Sequence, residues 1–237
     1  MKPSEKRPLK EVVKTISHER ERTNILRKSE QMTIAYLVQR IPSWISSDML
    51  TAIGFMGSVI IFISFMLANY VSEIYLLIGV VGFFISWFGD SLDGRIAYFR
   101  NIPRKWYGFT LDLTTDWIGA ILIGLGFVIY AEGPAKLLGF IFVVLYGWEI
   151  MTTLLRYKVS GVYSIDSGIL GPTEVRIIIS SMLIMEVIID GTFIYFAALA
   201  CVVLFVTNIS DFFKLLTLAN NRDREEREQK RKDAAAL

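Results

Sequence analysis

The chain has 237 residues, 53% of them hydrophobic and 20% charged, with a mean hydropathy of +0.47 and a formal net charge of +2. So apolar a composition excludes an ordinary soluble domain, and so small a net charge gives no reason to expect a nucleic-acid partner. A single cysteine, Cys201, and a single histidine, His18, exclude a disulfide framework, a zinc-type cluster, His-ligated metal and a membrane-embedded Ser-His catalytic pair.

Residues 1–28 are charged with both signs, from Lys6 and Arg7 to Glu21 and Arg22. They lack the apolar run of a signal peptide and read as a solvated, partly helical tail. Ile34, Leu37, Val38, Ile41 and Trp44 then recur at intervals of three and four between Met32 and Trp44. This spacing predicts a short juxtamembrane amphipathic helix in the membrane interface, ended or kinked at Pro42.

Runs of about 20 apolar residues suffice to cross a bilayer. Six are expected: Asp48 to Tyr70, Glu73 to Asp90, Leu111 to Tyr130, Ala135 to Leu155, Thr173 to Ile189 and Gly191 to Leu216. The fold class is therefore all-α integral membrane. No polar linker divides the apolar region, so residues 32–219 read as one domain between charged tails, 1–31 and 220–237. Basic residues gather in both tails, in the 94–108 loop (Arg95, Arg100, Arg104, Lys105) and in the 156–172 loop (Arg156, Lys158). The other side offers Lys136 against Glu73, Glu132 and Asp190. The positive-inside bias then places both termini, and the 94–108 loop, in the cytoplasm.

Four aspartates stand out. Asp90 and Asp93 are three apart at the expected end of the second span, and Asp112 and Asp116 are four apart at the expected start of the third. Each spacing puts a pair on one helix face, and the short connection makes the two helices neighbours. Four acids at a membrane boundary repel one another and lose hydration, which divalent cations would offset. All-oxygen ligands suit Mg²⁺ or Mn²⁺.

The run Asp90-Ser-Leu-Asp93-Gly94-Arg-Ile-Ala97, followed by Gly108-Phe-Thr-Leu-Asp112-Leu-Thr-Thr-Asp116, resembles the signature of the CDP-alcohol phosphotransferases. That signature reads Asp-x-x-Asp-Gly-x-x-Ala-Arg, then Gly-x-x-x-Asp-x-x-x-Asp. Ser46-Ser47-Asp48-Met-Leu50-Thr51-Ala-Ile-Gly54 is similar to the family's Ser-Pro-Asn-x-Leu-Thr-x-x-Gly, with Ser47 and Asp48 as departures. Tyr98 stands where the family has arginine, and Arg95 and Arg100 are the nearby candidates to supply that charge.

The resemblance implies two metal ions held by Asp90, Asp93, Asp112 and Asp116, with Asp116 as the general base. It also implies a nucleotide bound along Thr51, Asp93, Gly94, Ala97 and Gly108, a homodimer, and release of CMP from a CDP-linked donor. Val159-Ser160-Gly161 and Gly171-Pro172-Thr173-Glu174-Val175 resemble a stretch of the choline and ethanolamine phosphotransferases, which use a lipid acceptor. The other branch takes CDP-diacylglycerol and a polar acceptor such as inositol phosphate, glycerol phosphate or serine. Arg156, Lys158, Glu174 and Arg176 are the candidates for such an acceptor pocket. Glu174, two residues from Arg176, lies on a different helix face, so any pairing between them would have to cross between helices. Two readings of other kinds stay open, an inactive family member and a cation-binding membrane protein.

Overall fold

The computed structural model describes residues 7–16, 26–161 and 172–235. Lys6, His18, Glu21, Arg22 and Gly171, all named above, lie outside these residues. Every regular element among the described residues is helical. Two short helices come first, α1 (Leu9–Ile16) and α2 (Arg27–Val38). They are followed by α3 (Ser47–Tyr70), α4 (Leu76–Phe99), α5 (Lys105–Tyr130), α6 (Lys136–Ser160), α7 (Pro172–Ile188) and α8 (Thr192–Ala235).

Five helices are long and apolar enough to cross a membrane: α3, α4, α5, α6 and α8. Together they describe a multi-pass membrane protein. The fifth expected span coincides with α7, whose 17 residues rise only about 26 Å against a hydrocarbon core of about 30 Å. Pro172 opens it, and Gly191, at φ +79°, turns the chain just past its end.

Two expected boundaries move. The helix bearing Asp90 was expected to stop there and runs on to Phe99, while the next was expected from Leu111 and begins at Lys105. Hydropathy marks where the chain stops being apolar, whereas a helix ends where its backbone is diverted. Asn101 supplies that diversion with φ 57°. Its amide donates to the Tyr98 carbonyl and that of Ile102 to Ala97, the paired bonds of a left-handed helix cap, with Pro103 just beyond. The four aspartates therefore sit two to three turns inside their helices.

The six long helices close into a ring in the packing order α3, α5, α6, α8, α7, α4 and back to α3. The α3–α4 contact is the closest. A Cβ on Gly57 would lie 2.5 Å from the Ser86 amide nitrogen and 2.6 Å from the Gly82 carbonyl oxygen, so the two backbones touch. Small residues at a crossing permit this in an apolar setting. At one end of the bundle Ile61, Phe65, Leu76, Phe83, Phe127, Leu183 and Phe193 form a buried cluster, with Phe65 stacked on Phe193 at 5.9 Å. Glu186, 2% exposed, fastens the same end. Its carboxylate accepts from Tyr130 Oη (2.7 Å), Thr192 Oγ1 (3.1 Å) and the Phe193 amide (2.5 Å), at the start of α8.

At the other end, Val12 and Ile16 of α1 are buried with Ile34, Ala35 and Val38 of α2 against Leu50, Leu92 and Ile96. The segment expected to be solvated thus contributes an apolar pair one turn apart to the core, while Lys10, Glu11 and Lys14 of α1 stay on the outside. The predicted interfacial helix starts five residues early and ends at Val38, four residues before Pro42. The sixth expected span and the charged segment after it form one continuous helix, α8, of 44 residues.

Candidate functional site

The close α3–α4 crossing sets the floor of the site. It brings Thr51 beside Asp93, whose Oδ2 accepts a 2.8 Å bond from Thr51 Oγ1. Ser47 Oγ donates to the Asp93 carbonyl at 2.8 Å, and the Gly94 amide donates to Asp93 Oδ1. Ser46 caps α3 by accepting from the Met49 amide at 3.1 Å, so the first turn of α3 is fixed independently of α4. Asp93, 7% exposed, is therefore held from two sides.

On the adjoining faces of α4 and α5, carboxylate oxygens of Asp90, Asp112 and Asp116 lie within 4.8 Å of one another. At an effective dielectric of about 20, two such charges at that separation repel by about 3 kcal/mol. Three mutually close, half-buried carboxylates are thus costly unless a cation joins them. Arg176, from α7, supplies one positive charge: its Nη1 lies 2.7 Å from Asp90 Oδ2, with the two side chains 18% and 25% exposed. The donor set is all carboxylate oxygen, which suits a hard divalent ion.

The three aspartates line an open pocket together with Thr51, Gly54, Phe55, Ser58, Ser86, Asp93 and Thr115. The sequence reading brought forward Thr51 and the four aspartates and missed Phe55, Ser58, Ser86 and Thr115. Helical spacing held the signal for three of them. Phe55 and Ser58 continue the face of Thr51 at four and seven residues, and Ser86 precedes Asp90 by four.

Other expected site residues sit beside the pocket or away from it. Gly108 is exposed in the first turn of α5, and a Cβ there would meet nothing within 4 Å. The Ala97 carbonyl belongs to the α4 cap. Arg95 and Arg100, the candidates to replace the arginine missing at Tyr98, are held elsewhere. Arg95 donates to the Ser91 carbonyl and lies 4.0 Å from Glu30 of α2. Arg100 donates to the carbonyls of Ile45 (2.5 Å) and Pro42 (2.8 Å).

The four residues expected around the acceptor are divided. Arg176 faces Asp90 rather than Glu174. Glu174 Oε1 accepts the Leu26 amide at 2.8 Å. Arg156 pairs with Asp211 of α8 at 3.0 Å, and Asp211 also meets Lys214 at 3.0 Å. The exposed Lys158 contributes its carbonyl to Arg222 at 2.9 Å. Gly161, at φ +72°, ends α6 with its amide on the Tyr157 carbonyl, a conformation that favours glycine at this position of the Val-Ser-Gly stretch.

The family model for CDP-alcohol phosphatidyltransferase matches residues 44–209, which takes in every pocket-lining residue, the helices α3 to α7 and the start of α8. No curated protein matches the chain.

Proposed function

Because the chain belongs to the CDP-alcohol phosphatidyltransferase family, divalent-metal-dependent transferases of phosphate-containing groups, we propose that it moves a substituted phosphate from a CDP-linked donor to an acceptor hydroxyl and releases CMP. The observation that carries this reading is the convergence of Asp90, Asp112 and Asp116 on one point of a pocket that Asp93 also lines. Asp90, Asp93, Asp112 and Asp116 are the proposed ligands, for Mg²⁺ or Mn²⁺. Four carboxylates carry more negative charge than one divalent ion cancels, which supports two ions. Bound there, the metal would neutralise the pyrophosphate and polarise the phosphorus under attack.

The chain's own residues do the rest. Thr51 and Ser47 hold Asp93 in place, and Asp93, Gly94, Ala97 and Gly108 border the nucleotide. Exposure of Gly108, with open space where a Cβ would be, supports close approach of a ligand to the backbone there. Asp116 accepts the acceptor's hydroxyl proton as that oxygen forms its bond to phosphorus and the phosphorus–oxygen bond to CMP breaks. A metal-bound carboxylate is a weak base, so position rather than basicity makes it effective. Arg176, beside Asp90, supplies a cation for a phosphate oxygen of the substrate in this reading.

The donor is read as CDP-ethanolamine or CDP-choline, with a lipid hydroxyl as acceptor. The alternative branch, from CDP-diacylglycerol to inositol phosphate, glycerol phosphate or serine, needs a cationic acceptor pocket. Arg156, one of the cations that pocket would need, is paired with Asp211 instead, which supports the first branch. Residues 32–219 form the catalytic unit in this reading, with α7 as a sixth crossing, α2 at the membrane interface, both termini and the site cytoplasmic, and two chains forming a homodimer.

The test is CMP release by purified protein in detergent with Mg²⁺ or Mn²⁺, comparing CDP-ethanolamine and CDP-diacylglycerol across a panel of acceptors. Acceptor-dependent release is expected with the first donor. Asp116→Asn should abolish turnover while the donor still binds in the presence of metal, and full activity in that variant would refute the assignment of the base.

A further inference from the structure

Glu174 is 7% exposed, yet it does not join the acids of the pocket. Its Oε1 accepts the amide of Leu26, the residue that opens α2, across 148 positions of sequence. The first amides of a helix have no intrahelical partner, and a carboxylate there is favoured both by the hydrogen bond and by the helix dipole. The contact therefore joins the first turn of α7 to the start of α2.

Helix α2 is in turn fixed to α4. Glu30 Oε1 lies 4.0 Å from Arg95 Nη2, with side chains 3% and 7% exposed, and Ile34, Ala35 and Val38 pack with Leu92 and Ile96. So α2 bridges the helix of Asp90 and the helix of Arg176 on the same side of the bundle as the pocket. Two residues beyond Glu174, on another face of α7, Arg176 reaches Asp90 at 2.7 Å. A slip of α7 by one residue of helical rise, about 1.5 Å, would carry that contact beyond the reach of an ion pair.

We propose that Glu174 is a positioning residue that acts through the Leu26 amide and α2 to hold α7 at the height where Arg176 meets Asp90. The proposal rests on the reading of Asp90 as a metal ligand, because Arg176 then competes with the cation for the same carboxylate. Glu174 itself touches neither metal nor substrate in this scheme.

The experiment measures Mn²⁺ affinity calorimetrically on full-length protein in detergent, with thermal melting to verify folding. Arg176→Ala is expected to tighten Mn²⁺ binding by about tenfold, the scale of one charge-assisted hydrogen bond. Leu26→Pro removes the amide hydrogen, and Glu174→Ala removes the carboxylate that accepts it. Both should shift Mn²⁺ affinity in the same direction as Arg176→Ala, and neither should add to it when combined with Arg176→Ala. Glu174→Gln keeps an acceptor oxygen and should restore the wild-type value to within about twofold, since the amide bond carries the effect. If Arg176→Ala shifts the affinity while Leu26→Pro and Glu174→Ala, both folded, leave it unchanged or add independently, the proposal is overturned and the metal-site reading stands. Absence of any Mn²⁺ binding by the wild type overturns the site reading and this proposal together.

Discussion

Replacing Gly57 with alanine tests whether the α3–α4 crossing controls the site. The added Cβ would lie 2.5 Å from the Ser86 nitrogen, 2.6 Å from the Gly82 oxygen and 2.8 Å from the Ser86 Cα. All three are backbone atoms, so no rotamer change relieves the clash, and the helices must part by about 1 Å to regain ordinary van der Waals distances. Overpacking of this kind costs about 1–3 kcal/mol. Alanine's better helix propensity returns up to about 1 kcal/mol, so a net loss of about 1–2 kcal/mol is expected. For a chain of this size that is on the order of 5 °C in Tm. The functional effect should be larger in proportion. Parting the helices by 1 Å stretches the 2.8 Å Thr51–Asp93 bond past 3.5 Å, and misplacement on that scale costs up to about 100-fold in rate. Thermal melting in detergent and CMP release on the same preparation measure the two effects. A Gly57→Ala protein with wild-type melting and wild-type turnover would refute the close crossing and the dependence of the site on it.

Gly108→Ala should behave in the opposite way: unchanged melting, because a Cβ there meets nothing within 4 Å, but a raised KM for the CDP donor, read from the donor dependence of CMP release. Glu186→Gln should lower stability by about 2 kcal/mol, because an amide nitrogen cannot accept from the hydroxyl and backbone donors the carboxylate serves. Its kcat should be unchanged, since Glu186 lies at the far end of the bundle, and melting paired with turnover checks both halves. Chelation with EDTA should abolish CMP release without unfolding the helices, with Mg²⁺ or Mn²⁺ restoring it; circular dichroism beside the assay separates the two effects.

The chemistry was the most legible part of the sequence, because aspartates at spacings of three and four carry their own geometry once a helix is assumed. The long helices were legible from hydropathy, but their ends at the site were not. Asn101 adopting the left-handed conformation is a local backbone event, and only the nearby Pro103 hinted at it. The pairing of Arg176 with Asp90 joins residues 86 positions apart, and no local rule selects it over a partner close in sequence. Val12 and Ile16 were masked by the mixed charge around them, although their spacing of four is that of a buried stripe. The glycines at the crossing were visible as residues, but which of them face a neighbouring backbone depends on the rotation of both helices.

At about 1.5 Å per residue, the 44-residue α8 measures about 66 Å, twice the thickness of a bilayer's hydrocarbon. The half that carries Arg222, Glu226 and Gln229 cannot lie in oil, so it stands outside as a stiff post. Arg222 braces its base by donating to the carbonyls of Lys158 and Val159, at the end of α6. A side chain on this post is held at a height above the lipid surface set by its residue number. A fluorophore at Asp233 would accordingly sit some 15 Å farther out than one at Asp223, and energy transfer to labelled lipid would read that offset as a ruler.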